Sequence, residues 1–208
     1  MTAYSLHGLY AITDSSLMPD DQTLLSQVRT ALEGGASIVQ YRDKSDDSVK
    51  RLRQATLLRE LCDEFERPLL INDDLALAIA CKAQGVHLGQ TDGSVAAARA
   101  QLGPDAIIGV TCHDSLALAL EARAEGADYV AFGAFFASST KPDARPAPLS
   151  LLPQAARDLG LPVVAIGGIS MDNARQVIEA GASMVAVIHA LFAAADIRRQ
   201  AQLFSQQF

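Results

Sequence analysis

Glu33-Gly34-Gly35-Ala36-Ser37-Ile38 returns in altered form at Ala83-Gln84-Gly85-Val86-His87, Ala124-Glu125-Gly126-Ala127-Asp128-Tyr129 and Glu179-Ala180-Gly181-Ala182-Ser183-Met184. In each copy a glycine stands where a helical pattern gives way to an apolar run. A glycine just past a helix end can take the left-handed backbone that stops the helix, after which the chain enters a strand. Reuse of one helix-to-strand turn points to a ring of repeated units.

Working outward from these turns, eight short runs have β character: Leu9–Ile12, Ser37–Tyr41, Leu69–Ile71, Val86–Leu88, Ile107–Val110, Tyr129–Phe132, Val163–Ile166 and Met184–Ile188. Between them apolar residues recur every three or four positions, as in Leu24-Leu25-Val28-Ala31-Leu32 and Leu116-Ala117-Leu120-Ala124. That is the spacing of a helix with one buried face. Short, nearly continuous apolar strands suit a parallel sheet covered on both sides, with the helices as crossovers. A doubly wound sheet and a closed barrel both satisfy this alternation, and the recurring turn favours the barrel. The expectation is an α/β protein, one (β/α)8 TIM-barrel domain over residues 1–208, short for that architecture.

Half of the residues are hydrophobic, yet no apolar run approaches the ~18 residues of a membrane span. Met1-Thr2-Ala3-Tyr4-Ser5 has neither a basic segment nor a following apolar one, so no secretory signal is read and a cytoplasmic location is expected. A net charge of −7 argues against nucleic acid as the ligand. Small molecules are the expected partners, with a homo-oligomer left open. Cys62, Cys81 and Cys112 show no metal-binding spacing and are expected as buried thiols.

In such barrels the active site is built where strands end and βα loops begin. Those positions are polar here: Gln40-Tyr41-Arg42-Asp43-Lys44, Asn72-Asp73-Asp74, Gly89-Gln90-Thr91-Asp92, Thr111-Cys112-His113-Asp114, Ser138-Ser139-Thr140-Lys141, Gly167-Gly168 and Ile188-His189. Arg42, Lys44 and Lys141 beside Asp73 and Asp92 suit a polyphosphate held by cations, with carboxylates on a hard divalent metal such as Mg²⁺. Asn72-Asp73 and Asp92 could equally cap the helices that follow them, and only their co-location on one face favours metal. Gly167-Gly168 lets main-chain N–H groups approach a phosphate closely, where barrels of this kind hold one. The proline-rich stretch Lys141–Pro148 reads as a loop over the active face, with a rigid surface connection as its alternative.

Taken in order, Gln40–Lys44, Ile71-Asn72-Asp73, His87–Asp92, Gly109–His113, Ser138–Lys141 and Ala165–Ile169 resemble the motifs of thiamine-phosphate synthases over nearly the whole chain. The resemblance implies a Mg²⁺-dependent transferase that joins hydroxymethylpyrimidine diphosphate to hydroxyethylthiazole phosphate, or its carboxylated precursor, with loss of pyrophosphate. By the same resemblance Gln40, Tyr41, Arg42, Asp43, Lys44, Asn72, Thr111 and Lys141 meet the pyrimidine diphosphate, and Arg42, Lys44 and Lys141 act on the leaving group. Asp73 and Asp92 hold the metal. Ser138, Ser139, Thr140, Gly168, Ile188 and His189 meet the thiazole phosphate. The chain departs from the family's commoner residues at Ser138, Thr111 and His189, where threonine, serine and serine are usual. A related thiazole tautomerase is the nearest rival, set aside because Asp92 supplies a second carboxylate; a non-catalytic precursor-binding barrel is the alternative of another class.

Overall fold

The computed structural model describes residues 4–137 and 146–208. All eight apolar runs form strands: β1 Gly8–Ile12, β2 Ile38–Tyr41, β3 Leu69–Asn72, β4 Gly85–Leu88, β5 Ile107–Thr111, β6 Tyr129–Phe132, β7 Val163–Ile166 and β8 Met184–Val187. Each pairs in parallel with the next, and β1 pairs with both β2 and β8, with Tyr10 opposite Ile38 on one side and Ala186 on the other. The sheet therefore closes into a barrel, which excludes the doubly wound alternative. Around it lie α1 Asp21–Glu33, α2 Ser48–Glu64, α3 Leu75–Ala80, α4 Val95–Leu102, α5 Leu116–Ala124, α6 Leu151–Leu159, α7 Ala174–Glu179, α8 His189–Phe192 and α9 Ile197–Ser205.

The period-two geometry of a strand sorts its side chains between two cores. Tyr10, Ile12, Ile38, Leu70, Ile107, Tyr129, Val164 and Met184 pack inside the barrel. Their neighbours Leu9, Ala11, Val39, Tyr41 and Val130 face outward against helix residues such as Leu24, Val28 and Leu58. Leu58 is fully buried there, and truncating such a leucine to alanine typically costs about 2–5 kcal/mol. The three cysteines are free and buried, and burial pushes the Cys62 and Cys112 thiols up to about 12.

Three of the four repeated turns work as the sequence suggests: Gly35, Gly126 and Gly181 have φ of +100°, +93° and +114°. The turn before β4 differs. There the left-handed residue is Lys82, at φ +56°, and Gly85 already belongs to the strand. A Cβ on Gly85 would sit 1.8 Å from the Ile107 carbonyl oxygen, so this glycine serves the close approach of β5.

Short polar side chains start six of the helices, α1 to α5 and α9, satisfying N–H groups that the first turn leaves unpaired. Asp20 caps α1 through the Thr23 N–H, Asp74 caps α3 through Leu77, Ser94 caps α4 through Ala97, and Ser115 caps α5 through Leu118. Each such cap contributes about 1 kcal/mol.

Candidate active site

Where the strands end in their βα loops, a cavity of about 600 Å³ opens, lined by residues from every strand or the loop after it. Its floor is the top of the barrel interior, with Tyr10, Ile12, Gln40, His87, Thr111 and Ile166, and the loops build its rim.

On one side the rim is charged. The Arg42 N–H donates to Thr13 Oγ1 at 2.9 Å, which ties the loop after β2 to the end of β1. Next to it the Lys44 ammonium pairs with Asp73, whose Oδ2 also accepts from Asn72 Nδ2 at 2.7 Å. Asp73 has φ +61°, a conformation that costs a non-glycine residue about 1–3 kcal/mol, and its N–H is held by the His87 carbonyl at 2.8 Å. Burial raises the Asp73 pKa, but the bond and charge of Lys44, with smaller help from Asp92 and Asn72, leave it below the ordinary value.

Asp92 lies within hydrogen-bonding reach of Asp73 and accepts the Gly89 N–H at 2.9 Å. Burial first, then the Asp73 carboxylate, hold Asp92 above the usual range. A Cβ on Gly89 would stand 2.5 Å from Asp92 Oδ2 and 3.9 Å from Asp73 Oδ1, so glycine leaves both carboxylates room. Neither aspartate is a helix cap, because Asp74 and Ser94 take those roles. Among the described residues no group of three or more His, Cys, Asp or Glu could hold a metal alone. Two adjoining carboxylates fit a cation such as Mg²⁺, which typically takes one or two carboxylates and completes its shell with water and substrate phosphates.

The opposite wall is largely main chain. Gly167 and Gly168 have φ of +96° and +64°, and a Cβ on Gly168 would lie 2.3 Å from the Ala137 carbonyl oxygen. Asn173 clamps the turn, donating to the Gly168 carbonyl and accepting from the Ser170 N–H, both at 2.9 Å. Ile188 and His189 continue this wall at the start of α8. Beyond the rim, burial raises the Asp14 pKa, but hydrogen bonds from Ser16 and the charges of His189 and Arg42 lower it overall.

A cationic corner, a carboxylate pair and a glycine-turn wall thus surround one cavity. A family model described as thiamine monophosphate synthase matches residues 9–191 of this chain. The chain belongs to the thiamine monophosphate synthase family. It is 52% identical to the thiamine-phosphate synthase of Nitrosococcus oceani, covering 98% of this chain and 94% of that one. With the thiamine-phosphate synthase of Methylobacillus flagellatus it shares 54% identity over the full length of both. Its fold matches thiamine phosphate pyrophosphorylase from Pyrococcus furiosus with a TM-score of 0.86 at 37% identity, covering 96% of this chain and 94% of that one.

Of the residues that resemblance to the thiamine-phosphate synthases places at the site, Gln40, Arg42, Lys44, Asn72, Asp73, Asp92, Thr111, Gly168, Ile188 and His189 line the cavity. Tyr41 and Asp43 do not. Strand alternation turns Tyr41 outward, where its hydroxyl reaches Gln54 Oε1 at 2.9 Å, and Asp43 binds Lys50 Nζ at 2.8 Å. Both side chains therefore engage α2 and brace the loop that presents Arg42 and Lys44. Ser138, Ser139, Thr140 and Lys141 lie outside the described residues, as does most of the proline-rich stretch. Sequence reading gave no role to Tyr10, His87 and Tyr129. The available signal was a histidine between Val86 and Leu88 in a buried strand, where an ionisable group needs partners.

Proposed function

We propose that this chain joins hydroxymethylpyrimidine diphosphate to hydroxyethylthiazole phosphate with release of pyrophosphate, or to its carboxylated precursor with release of pyrophosphate and carbon dioxide. The observation that carries this reading is the meeting, around one cavity, of Arg42 and Lys44, the Asp73–Asp92 pair, and the Gly167-Gly168 wall. The pyrimidine ring occupies the floor between Gln40 and Thr111. Arg42, Lys44 and Asn72 take the diphosphate, joined by Lys141. Gly168, Ile188 and His189, with Ser138, Ser139 and Thr140, take the thiazole phosphate and aim the ring nitrogen at the pyrimidine methylene carbon.

The C–O bond to pyrophosphate breaks first, and the thiazole nitrogen captures the resulting pyrimidine methylene cation. Arg42 and Lys44 stabilise the charge that develops on the leaving oxygens, and fixed cations in a site shielded from water do so strongly. The apolar floor of Ile12, Ala131, Val164 and Ile166 keeps water from the cation. Asp73 and Asp92 would hold Mg²⁺, which when bound supplies further positive charge to the departing diphosphate. The Asp92 carboxylate beside Asp73 supports this transferase over the related isomerase. An acidic chain acting on free small molecules in the cytoplasm, with residues 1–208 as one barrel domain, completes the reading.

The test is an assay of purified protein with both substrates. Pyrophosphate and thiamine phosphate should appear in equal amounts with Mg²⁺ and fall to background with a chelator. Absence of product at saturating substrates and Mg²⁺ overturns the proposal.

A further inference from the structure

Across the floor of the cavity, between Gln40 and Thr111, runs a chain of hydrogen bonds whose inner members have no part in the reaction above. Gln40 Nε2 donates to Tyr10 Oη at 2.6 Å, and Tyr10 Oη lies 2.9 Å from Tyr129 Oη. Tyr129 Oη lies 2.8 Å from His87 Nδ1, and His87 Nε2 lies 2.7 Å from Thr111 Oγ1. The links come from five different strands: β2, β1, β6, β4 and β5. Both ends, Gln40 and Thr111, line the cavity.

The packing shows that the links are built in. Tyr10 and Tyr129 are 1% and 0% exposed, with their rings edge to face and the Tyr129 ring stacked on His87. Gly109 on β5 makes the space, since a Cβ there would lie 1.9 Å from the Tyr129 ring. Burial raises the phenol pKa of both tyrosines, so each hydroxyl keeps its one hydrogen.

In such a chain the direction of one bond sets the rest. Each phenol has one hydrogen and a neutral imidazole has one N–H. With Gln40 donating to Tyr10, the Tyr10 hydrogen goes to Tyr129, that of Tyr129 goes to His87 Nδ1, and the His87 hydrogen sits on Nε2 and goes to Thr111. The amide oxygen is then what Gln40 can offer a ligand, and the hydroxyl hydrogen is what Thr111 can offer. In the reverse direction both ends exchange roles.

We propose that Tyr10, Tyr129 and His87 are positioning residues that fix this direction, so that the floor presents an acceptor at Gln40 and a donor at Thr111. The site then selects a ring with an amino group on the Gln40 side and a lone pair on the Thr111 side. This deepens the reading given under the proposed function and rests on it for the identity of the ring.

Two measurements test it. In ligand-free protein, ¹⁵N spectra should show His87 as the neutral tautomer with its hydrogen on Nε2; hydrogen on Nδ1 overturns the proposed direction. In calorimetry, free hydroxymethylpyrimidine should bind the parent at least tenfold more tightly than its analogue lacking the ring amino group. Tyr129→Phe and Tyr10→Phe keep the ring packing and each remove one hydroxyl, and with it two hydrogen bonds of the chain. Each should lower that preference to threefold or less and leave inhibition by inorganic pyrophosphate within twofold of the parent. A preference unchanged in both folded variants overturns the proposal, whereas retained ring selectivity without turnover counts against the reaction and not against the chain.

Discussion

The carboxylates of Asp73 and Asp92, carried by the loops after β3 and β4, lie within hydrogen-bonding reach of each other beside Gly89, with Lys44 paired to Asp73. Two like charges this close repel when no cation sits between them. Asp92→Asn should therefore have opposite effects on stability and turnover. Without Mg²⁺ its melting temperature should match or exceed the parent's, because the Asn oxygen can still accept from the Gly89 N–H while the repulsion is gone. Pyrophosphate release should fall by roughly two orders of magnitude, the scale on which loss of one stabilising charge acts. Mg²⁺ should raise the parent's melting temperature and barely move the variant's. Parent-like turnover at limiting Mg²⁺ would remove Asp92 from the metal site.

Asp43 offers a pH test away from the Asp73–Asp92 pair. Its side chain is 1% exposed and accepts from Lys50 Nζ and the Ser45 N–H, each at 2.8 Å. Burial raises its pKa, but the Lys50 and Ser45 hydrogen bonds outweigh that and leave it below the ordinary value. A folded-state pKa below the unfolded one, about 3.9, gives stability that is fully present above pH 4 to 5 and is lost as pH falls through the folded value. Asp43→Asn should cost about 1–3 kcal/mol at pH 7 by leaving Lys50 without its carboxylate. Urea unfolding from pH 7 to pH 2 should show the two proteins converging at the acid end. Parallel curves would show that Asp43 does not titrate with folding.

The strands were legible to within one residue because each is a short apolar run bounded by turn residues, and closure was legible from the repeated glycine turns. Membership of the cavity was legible for polar residues that follow a strand such as Arg42, Asp73 and Asp92, but not for Asp43, whose side chain turns to Lys50 on α2. Reading failed where the face of a strand decides the outcome. Tyr41 and Gln40 are neighbours with opposite directions, and which one turns inward depends on register against β1 and β3. The Gln40–Tyr10–Tyr129–His87–Thr111 chain was hidden for the same reason: it joins residues that meet only once the ring is closed. Finding the cap of α3 needed coordinates, since Asp73 and Asp74 are adjacent and only geometry assigns that role to Asp74.

Gly168 should tolerate no side chain. At φ +64° with a carbonyl oxygen 2.3 Å from an added Cβ, alanine must displace the backbone of the glycine turn or that of Ala137. Gly168→Ala should lose more than about 1 kcal/mol of stability, as expected where alanine is forced to positive φ. The KM for thiazole phosphate should rise at least tenfold, with that for the pyrimidine diphosphate changed less than threefold. Steady-state kinetics varying each substrate in turn would check this; an equal rise in both would mean general loosening of the barrel mouth.

His189 is where a side chain and a main chain compete for the same role. It opens α8 on the glycine-turn wall and is half-buried. If the main chain of Ile188-His189 meets the thiazole phosphate, replacing the imidazole changes little, because a backbone N–H points the same way whatever the side chain. If the imidazole itself binds, removing the ring removes a ligand and the affinity should fall. His189→Ser is expected to keep turnover and thiazole-phosphate affinity within threefold of the parent. Isothermal titration of both proteins with the thiazole phosphate decides the matter. A tenfold loss of affinity, about 1.4 kcal/mol, would make the imidazole the ligand.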